Sequence, residues 1–162
     1  MKPWDQRPIE YRNLFNPAFC GLVLNRAFQG YEELNDDGMP FSLSLLVLPL
    51  CLHAETRNVI GVNSRARLLK TVEGNQQILV GFAVRAKNLL PYTLEALGLL
   101  THLECIEVDI SGRLKTEPKS VRAKVSGTPE TVECQRVARV VGKEFARIAD
   151  RVTIFATLGV RP

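Results

Sequence analysis

Residues 75–118, NQQILVGFAVRAKNLLPYTLEALGLLTHLECIEVDISGRLKTEP, decide the fold that the sequence predicts. Apolar residues from Ile78 to Ala86 recur close to a 3.6-residue period, which indicates a helix over 75–88. Pro91 suits the first position of a second helix, because its missing N–H costs nothing there. Leucines at spacings of three extend this second helix to Leu103.

A strand, a tight turn and a return strand follow these two helices. Ile106, Val108 and Ile110 alternate with polar residues, and Ser111-Gly112 is a turn signal. Two helices closed by a hairpin are the plan of a winged helix-turn-helix, which binds nucleic acid in some proteins and other proteins in others. We therefore expect a mainly α fold with a small β-hairpin, and a winged helix-turn-helix-like core with N- and C-terminal helices.

The segment before this core is predicted to be helical, with clear punctuation. An extended arm covers 4–8, and a helical region over 9–34 restarts at Asn16-Pro17, which has the form of a helix cap and first turn. Residues 35–38 favour a turn. The apolar run 43–52 is too short to span a bilayer and indicates a buried helix. Short helices are expected over 53–59 and from Asn63-Ser64 to Gly74.

The segment after the core begins with a polar, basic loop over 119–127. Thr128-Pro129 caps a long helix with acidic residues in its first turn, and a short helix is expected over 151–158. These patterns predict a helical domain over 1–127 that contains the winged-helix-like segment. Residues 128–162 are expected to form a C-terminal helical extension packed on the same domain.

Composition excludes several classes of protein. The chain has 162 residues, of which 46% are hydrophobic and 23% charged, so it has enough apolar residues to fold without a metal or a disulfide. Its four cysteines form no close pair, and its two histidines have no ligand-like neighbour. We expect free thiols in a cytoplasmic protein with no metal, no cofactor and no membrane association.

Catalytic patterns are weak in this sequence. It contains neither a phosphate-binding P-loop nor the glycine pattern of a dinucleotide site. His53 with Glu55 has no accompanying nucleophile, and such a pair is more typical of a helix-start hydrogen bond than of an active site. We expect no enzymatic activity; a small hydrolase that uses His53 and Glu55 is the residual alternative.

Two groups of basic residues are candidates for contact with nucleic acid or with an acidic partner. On the last long helix, four cations fall within about 80° of one another, opposite an apolar face. The wing and the following loop supply five more cations. The two groups are Arg136, Arg139, Lys143 and Arg147 on the helix, and Arg113, Lys115, Lys119, Arg122 and Lys124 on the wing and loop. A solvated surface is the alternative interpretation of both groups.

A set of short phrases connects the chain to a known family. They occur in one order along nearly the whole sequence: Arg7-Pro8-Ile9-Glu10, Leu14-Phe15-Asn16-Pro17-Ala18-Phe19, Gly38-Met39-Pro40, Leu46-Val47-Leu48-Pro49, Leu52-His53 with Thr56-Arg57, Phe82 with Arg85-Ala86, Pro91-Tyr92-Thr93-Leu94-Glu95-Ala96-Leu97, and Leu158-Gly159-Val160-Arg161-Pro162. With these phrases the chain resembles the middle component of three-component ABC ATPase systems, prokaryotic conflict loci related in organisation to Lamassu-type antiphage defence.

The resemblance implies an adaptor. Its partners would be an ABC ATPase of the structural-maintenance-of-chromosomes (SMC) or Rad50 type, which holds the nucleotide, and a third subunit that carries the effector activity. DNA is a further candidate partner within such a complex. Docking contacts are expected at Trp4, Arg7 and Glu10 in the N-terminal arm and at Arg161 in the C-terminal tail, where local capping and packing is the alternative role.

A stand-alone winged-helix DNA-binding regulator is the competing hypothesis. It predicts binding to duplex DNA that weakens steeply with salt. The predicted second helix offers Tyr92, Thr93, Glu95 and His102, which is a poor set for reading base edges. This composition favours the adaptor.

Overall fold

The computed structural model describes residues 2–161, except for the side chain of Trp4. The chain is mostly helical with a small antiparallel sheet, which confirms the predicted fold class. The helices are α1 (Ile9–Leu14), α2 (Pro17–Glu32), α3 (Phe41–Ser44), α4 (Val47–Cys51), α5 (Ala54–Val62), α6 (Leu68–Gly74), α7 (Phe82–His102), α8 (Pro129–Ile148) and α9 (Arg151–Thr157). The strands are β1 (Met39–Pro40), β2 (Ile106–Val108) and β3 (Arg113–Thr116). Short 3-10 turns cover Trp4–Gln6 and Gln76–Leu79.

Helices α2 and α8 begin at the caps that the sequence predicts. The Asn16 side chain accepts hydrogen bonds from the backbone N–H groups of Ala18 and Phe19, and Pro17 occupies the first helical position. The Thr128 hydroxyl accepts from the N–H of Thr131 in the same way. Both predicted caps are confirmed. A cap depends only on neighbouring residues, so the sequence is sufficient to predict it.

Helices α2 and α8 form the centre of the fold with their backbones in contact. A Cβ atom on Gly142 would lie 1.9 Å from the carbonyl oxygen of Ala27, and one on Gly30 would lie 2.1 Å from that of Arg139. A side chain at either position would therefore separate the helices. The apolar side of α8 is fully buried in the same place, with Val137, Val141 and Phe145 each at 0% exposure.

The apolar run 43–52 lies in the core, as predicted, but as two short helices. Helix α3 ends at Ser44 and α4 begins at Val47, and Leu46, Leu48 and Leu50 between and within them are almost completely buried. No surface remains on Leu46, Leu48 or Leu50 for a partner.

The segment 75–103 differs from its prediction. The predicted helix over 75–88 and the break before Pro91 are both wrong: a 3-10 turn covers Gln76–Leu79, and α7 runs unbroken through Pro91. The break falls at Gly81, whose φ of +66° a helix does not accept. Pro91 removes one hydrogen bond, but both halves of α7 bury apolar side chains in the core, and this burial outweighs the loss.

The predicted hairpin is confirmed and gains a third strand. β2 and β3 pair antiparallel with Val108 opposite Leu114, and β1 pairs on the other side of β3 with Met39 opposite Leu114. The Glu32 carboxylate accepts the backbone N–H of Thr116 at 2.6 Å, which ties the sheet to α2. The wing-like hairpin is therefore present, while a winged helix-turn-helix arrangement around it stays a prediction.

Helix α6 begins later than predicted. Asn63 ends α5 instead of capping α6, because its side-chain amide donates to the carbonyl of Val59. The N-terminus of α6 is held by Glu144 of α8, whose carboxylate accepts the N–H of Leu68 at 2.9 Å. The predicted end at Gly74 is confirmed.

Within residues 2–161, no single helix is long and apolar enough to cross a membrane. The segments Phe41–Cys51 and Ala54–Val62 have the length and apolar composition of a membrane span only when taken together, and the angle between them is 98°.

Candidate partner-binding surfaces

The N-terminal arm is clamped to α7 through Arg7. Its two terminal nitrogens donate to the two carboxylate oxygens of Glu95 at 2.7 Å each, and its side chain is only 7% exposed. The guanidinium also lies 6.0 Å from the centre of the Tyr92 ring. Arg7 therefore contacts its own chain, and the bidentate geometry makes this a strong attachment of the arm.

Aromatic contacts extend this clamp along α1. The ring centres of Phe15 and Tyr92 lie 4.5 Å apart, and those of Tyr11 and Phe15 lie 5.9 Å apart with the rings tilted by 53°. Apolar side chains of α1 remain exposed beside the polar residues Glu10 and Asn13, with Leu14 at 63% exposure and Ile9 similarly exposed. Exposed apolar side chains rimmed by polar residues are typical of protein contact sites.

The remaining predicted docking residues lie in different environments. Glu10 is exposed on α1, and the side chain of Trp4 lies outside the described part of the chain. Arg161 lies at an apolar groove of about 450 Å³ between the C-terminal tail, α3 and α7, together with Leu90 and Val160. The arm and the tail thus present two separate apolar surfaces.

The four predicted cations of α8 are all paired with carboxylates. Arg136 bonds Glu133 at 2.7 Å and Arg147 bonds Glu144 at 2.5 Å, and Glu33, directly after α2, accepts from both Arg139 and Lys143. Burial raises the pKa of Glu33, but the hydrogen bonds from Lys143 and Arg139 outweigh it, so the pKa is lowered overall. The face carries three negative charges beside its four positive ones.

The wing and loop cations are dispersed. Arg113 donates to the carbonyl of Gly38, while Lys115 points to solvent on the same strand. Lys119 and Lys124 are exposed along the loop 117–128, as is the side chain of Arg122. The structure places Arg122 and Lys124, but not Arg113, at one groove.

This groove contains a buried arginine that the sequence analysis missed. Arg26 of α2 is 3% exposed and donates to the side chains of Gln135 and Gln29 and to the carbonyl of Arg122, the last at 2.5 Å. Burial, and next the charge of Arg139, lower the pKa of Arg26. Its position among the buried residues Leu24, Ala27 and Phe28 was the available signal, since an arginine on a core face requires a partner.

The groove itself is apolar with a basic rim. It has a volume of about 360 Å³ and lies between α2, the C-terminal half of α7 and the loop. Its apolar residues include Leu22, Leu99, Leu103 and Val121. Its charged residues are Arg26, Arg122 and Lys124, and in the described part of the chain its lining contains neither Asp nor Glu.

His53 and its neighbours form a structural network at the start of α5. His53 Nδ1 lies 2.9 Å from the Thr56 hydroxyl and accepts from the Thr56 N–H, which makes His53 the helix cap. Burial, and next the charge of Arg85, lower the pKa of His53. Arg57 is buried and donates to the carbonyls of Cys51 and Leu52 and to Glu130 of α8. Within the described residues His53 thus bonds Thr56 and has no hydrogen bond to Glu55.

The four cysteines are buried and unpaired. Burial raises the pKa of Cys20 to about 12 and also raises that of Cys51 and Cys134. The thiols of Cys20, Cys51 and Cys134 are therefore held in the unreactive, protonated form. Among residues 2–161, no group of three or more His, Cys, Asp or Glu side chains is arranged to hold a metal ion.

Comparison with known proteins assigns the chain to a family. The model of the family described as ABC-three component (ABC-3C) system Middle Component 3 matches residues 4–162. Neither a curated protein nor a solved structure matches the chain significantly. The matched region contains the clamped N-terminal arm, the C-terminal tail, the sheet and the groove at Arg26. The chain therefore belongs to the Middle Component 3 family of ABC-three component systems.

Proposed function

We propose that this chain is a non-enzymatic accessory subunit that binds an SMC/Rad50-type ABC ATPase and couples it to an effector in a prokaryotic antiphage defence complex in the cytoplasm. The observation that carries the proposal is the family match over residues 4–162, which makes the chain a middle component of a multi-component system. A middle component needs surfaces for its neighbours, and such surfaces are typically apolar patches with a polar rim.

The exposed side of α1 is the surface that we assign to the ATPase. Ile9, Tyr11 and Leu14 are exposed there, although Arg7 and Phe15 fix the same segment to α7. A rigid arm loses little conformational freedom on binding, which favours affinity. Trp4, Glu10 and the tail residue Arg161 complete the set of proposed docking contacts.

Co-expression with the ATPase and effector of the same locus tests this proposal. We expect the three chains to copurify through one tag at moderate salt. Leu14→Asp should weaken the ATPase interaction by about tenfold or more, since it places a charge in a buried contact. Val152→Asp is the matched control, because Val152 is equally exposed but lies on α9. Clean separation of the wild-type chain from both partners would remove the proposal.

A stand-alone DNA-binding regulator is the second candidate. Lys115, Lys119 and Lys124 are exposed and favour it, but the α8 cations that it would also use are already engaged with carboxylates. It predicts that the isolated chain binds duplex DNA with a steep salt dependence, and that Lys115→Glu weakens this binding. An electrophoretic mobility titration at several salt concentrations distinguishes it from the adaptor.

A further inference from the structure

Arg26 is a buried cation without a counter-charge in the described part of the chain. Its hydrogen bonds go to two side-chain amides and one backbone carbonyl, all of them neutral acceptors. The nearby carboxylates of Glu32 and Glu33 are occupied by Thr116 and by Arg139 with Lys143. Buried arginines are normally paired with an anion, because a charge removed from water without one is costly. This arrangement therefore has room for an anionic group from outside the chain.

The donors of Arg26 support the same conclusion. A guanidinium has five N–H donors, and three hydrogen bonds of Arg26 are formed within the chain. Two donors are therefore left for a further acceptor. Arg122 and Lys124 line the groove beside it, so the local charge is positive and uncompensated by any acidic lining residue.

The apolar lining narrows the class of ligand. Leu22, Leu99 and Leu103 form walls that gain free energy by covering an apolar group, and Leu103 is 58% exposed at the rim. Among the described residues no aromatic side chain lines the groove, so these residues offer no stacking surface for nucleotide bases. A volume of about 360 Å³ accommodates a few side chains and not a folded domain.

We propose that this groove receives a short protein segment from another subunit of the system, in which apolar side chains flank an aspartate or glutamate that pairs with Arg26. The inference rests on the proposed function, since it names the kind of contact by which a partner subunit docks. The apolar side chains lie against Leu22 and Leu103, and the carboxylate enters between Arg26, Arg122 and Lys124. The groove is distinct from the α1 surface assigned to the ATPase, so it is suited to the second partner, the effector.

Charge reversal at the rim tests the pairing without disturbing the core. Using the purified three-component complex and its separate subunits, we measure the affinity of the chain for each partner by calorimetry. Lys124→Glu should weaken the interaction with the effector by about tenfold, with a larger effect at low salt, and should leave the affinity for the ATPase unchanged. Lys70→Glu is the control: it makes the same change in net charge as Lys124→Glu, but at an exposed position of α6 away from the groove. It should leave both affinities unchanged.

Removal of the buried charge is the second measurement. Arg26→Gln should weaken the same interaction by about 30-fold, because the partner's carboxylate then lacks its counter-charge. The melting temperature of this variant shows whether it folds; if it does not, Leu103→Asp replaces it, since Leu103 is exposed and the added charge repels the carboxylate. The proposal would be overturned if a folded Arg26→Gln variant, or Leu103→Asp, bound the effector as tightly as the wild-type chain does.

Crosslinking identifies the occupant. A photoreactive residue at Leu103 should crosslink to a peptide of the effector that contains Asp or Glu among apolar residues, and the same residue at Val152 should not. If the complex forms but Leu103 gives no such crosslink, the groove inference fails and the adaptor function stands. If no complex forms, the adaptor function itself fails. Crosslinking of Leu103 to DNA would show that the groove serves nucleic acid and would also overturn the inference.

Discussion

Glu144 shows how single charged residues are used within this chain. Its side chain is 3% exposed, and its two oxygens accept the N–H of Leu68 and a hydrogen bond from Arg147. Arg57 does the converse by donating to two backbone carbonyls at the end of α4. In both cases a buried charge satisfies the end of another helix, Glu144 from the distant α8 and Arg57 from the adjacent α5, which is a structural role rather than a catalytic one.

Replacement of Glu144 tests this role. Glu144→Ala leaves the Leu68 N–H without its acceptor inside the protein, so the free energy of unfolding should fall by about 1–3 kcal/mol. Urea denaturation followed by circular dichroism measures this change. Glu73→Ala is the matched control, since Glu73 is exposed on α6 and should change stability by less than about 0.5 kcal/mol. Equal stabilities of the two variants would contradict the capping role of Glu144.

His53 gives a prediction about pH. Because the pKa of folded His53 lies below its ordinary value of 6.5, the unfolded chain binds a proton more readily than the folded one. The contribution of His53 to stability is therefore complete above pH 6.5 and is lost as the pH falls below that value. Asn is also a good helix cap, so His53→Asn should retain the cap and remove this part of the pH dependence.

Denaturation midpoints between pH 7 and pH 5 measure the effect. The wild-type chain should lose more stability over this interval than His53→Asn, while His102 remains in both proteins. Superimposable pH profiles would show that His53 does not cap α5 in its neutral form.

At the scale of elements, the contact between α2 and α8 determines the packing. Gly30 and Gly142 allow the two backbones to touch, and each glycine faces the other helix. The ion pairs of Glu33 with Arg139 and Lys143 lie along the same contact. The sequence predicts that α8 presents a basic face to a partner or to solvent. In the structure, acidic residues of α8 and at the end of α2 neutralise most of this face.

Two glycine substitutions test this packing with opposite expected signs. Gly142→Ala places a methyl group against the Ala27 carbonyl and should reduce the free energy of unfolding by about 1–3 kcal/mol or more. Gly98 is at an exposed position of α7, with open space where a Cβ atom would lie, so Gly98→Ala should increase the free energy of unfolding by about 0.5–1 kcal/mol. Thermal unfolding by calorimetry compares the two. A neutral Gly142→Ala variant would mean that α2 and α8 are not in backbone contact.

At the scale of the whole molecule, the buried apolar residues form one cluster. Residues of α2, α4, α7 and α8 all contribute to it, so the C-terminal helix is part of the same core. We propose on this basis that 128–162 packs on the domain formed by 1–127, as the sequence analysis expects. The groove at Arg26 then depends on α8 for its support, since Gln135 of α8 bonds Arg26.

Truncation tests the dependence of the fold on α8. A chain that ends at Gly127 lacks Val137, Val141 and Phe145 and exposes the apolar side of α2, so it should lose its cooperative unfolding transition. Near-ultraviolet circular dichroism and calorimetry measure this loss. A truncated chain with a sharp transition near that of the full chain would show that 1–127 folds independently.

Local signals account for the parts of the fold that the sequence predicted correctly. The caps at Asn16 and Thr128, the hairpin turn at Gly112 and the buried run 43–52 each depend on residues close together in the chain. The break before Pro91 was predicted from an equally local signal and was wrong, because the packing of both halves of α7 outweighs the loss of one hydrogen bond.

Local sequence signals predict the candidate surfaces less well than they predict the helices and the hairpin. The pairing of Arg7 with Glu95 joins residues 88 positions apart, and that of Arg139 with Glu33 joins residues 106 apart. No periodicity relates such residues, so the sequence placed Arg7 and Arg139 at contact surfaces without their internal partners. The groove at Arg26 was missed for the same reason, since α2, α7 and the loop meet only in three dimensions.

By itself, the sequence determined the helix boundaries set by caps, the hairpin, the apolar content of the core and the family to which the chain belongs. Local backbone preferences and a fixed order of motifs suffice for these features. Only the tertiary structure decided which charges are neutralised and which cation, Arg26, remains buried without a counter-charge in the described chain. The physical reason is that electrostatic pairing and burial depend on distance in space, which the order of residues along the chain does not specify.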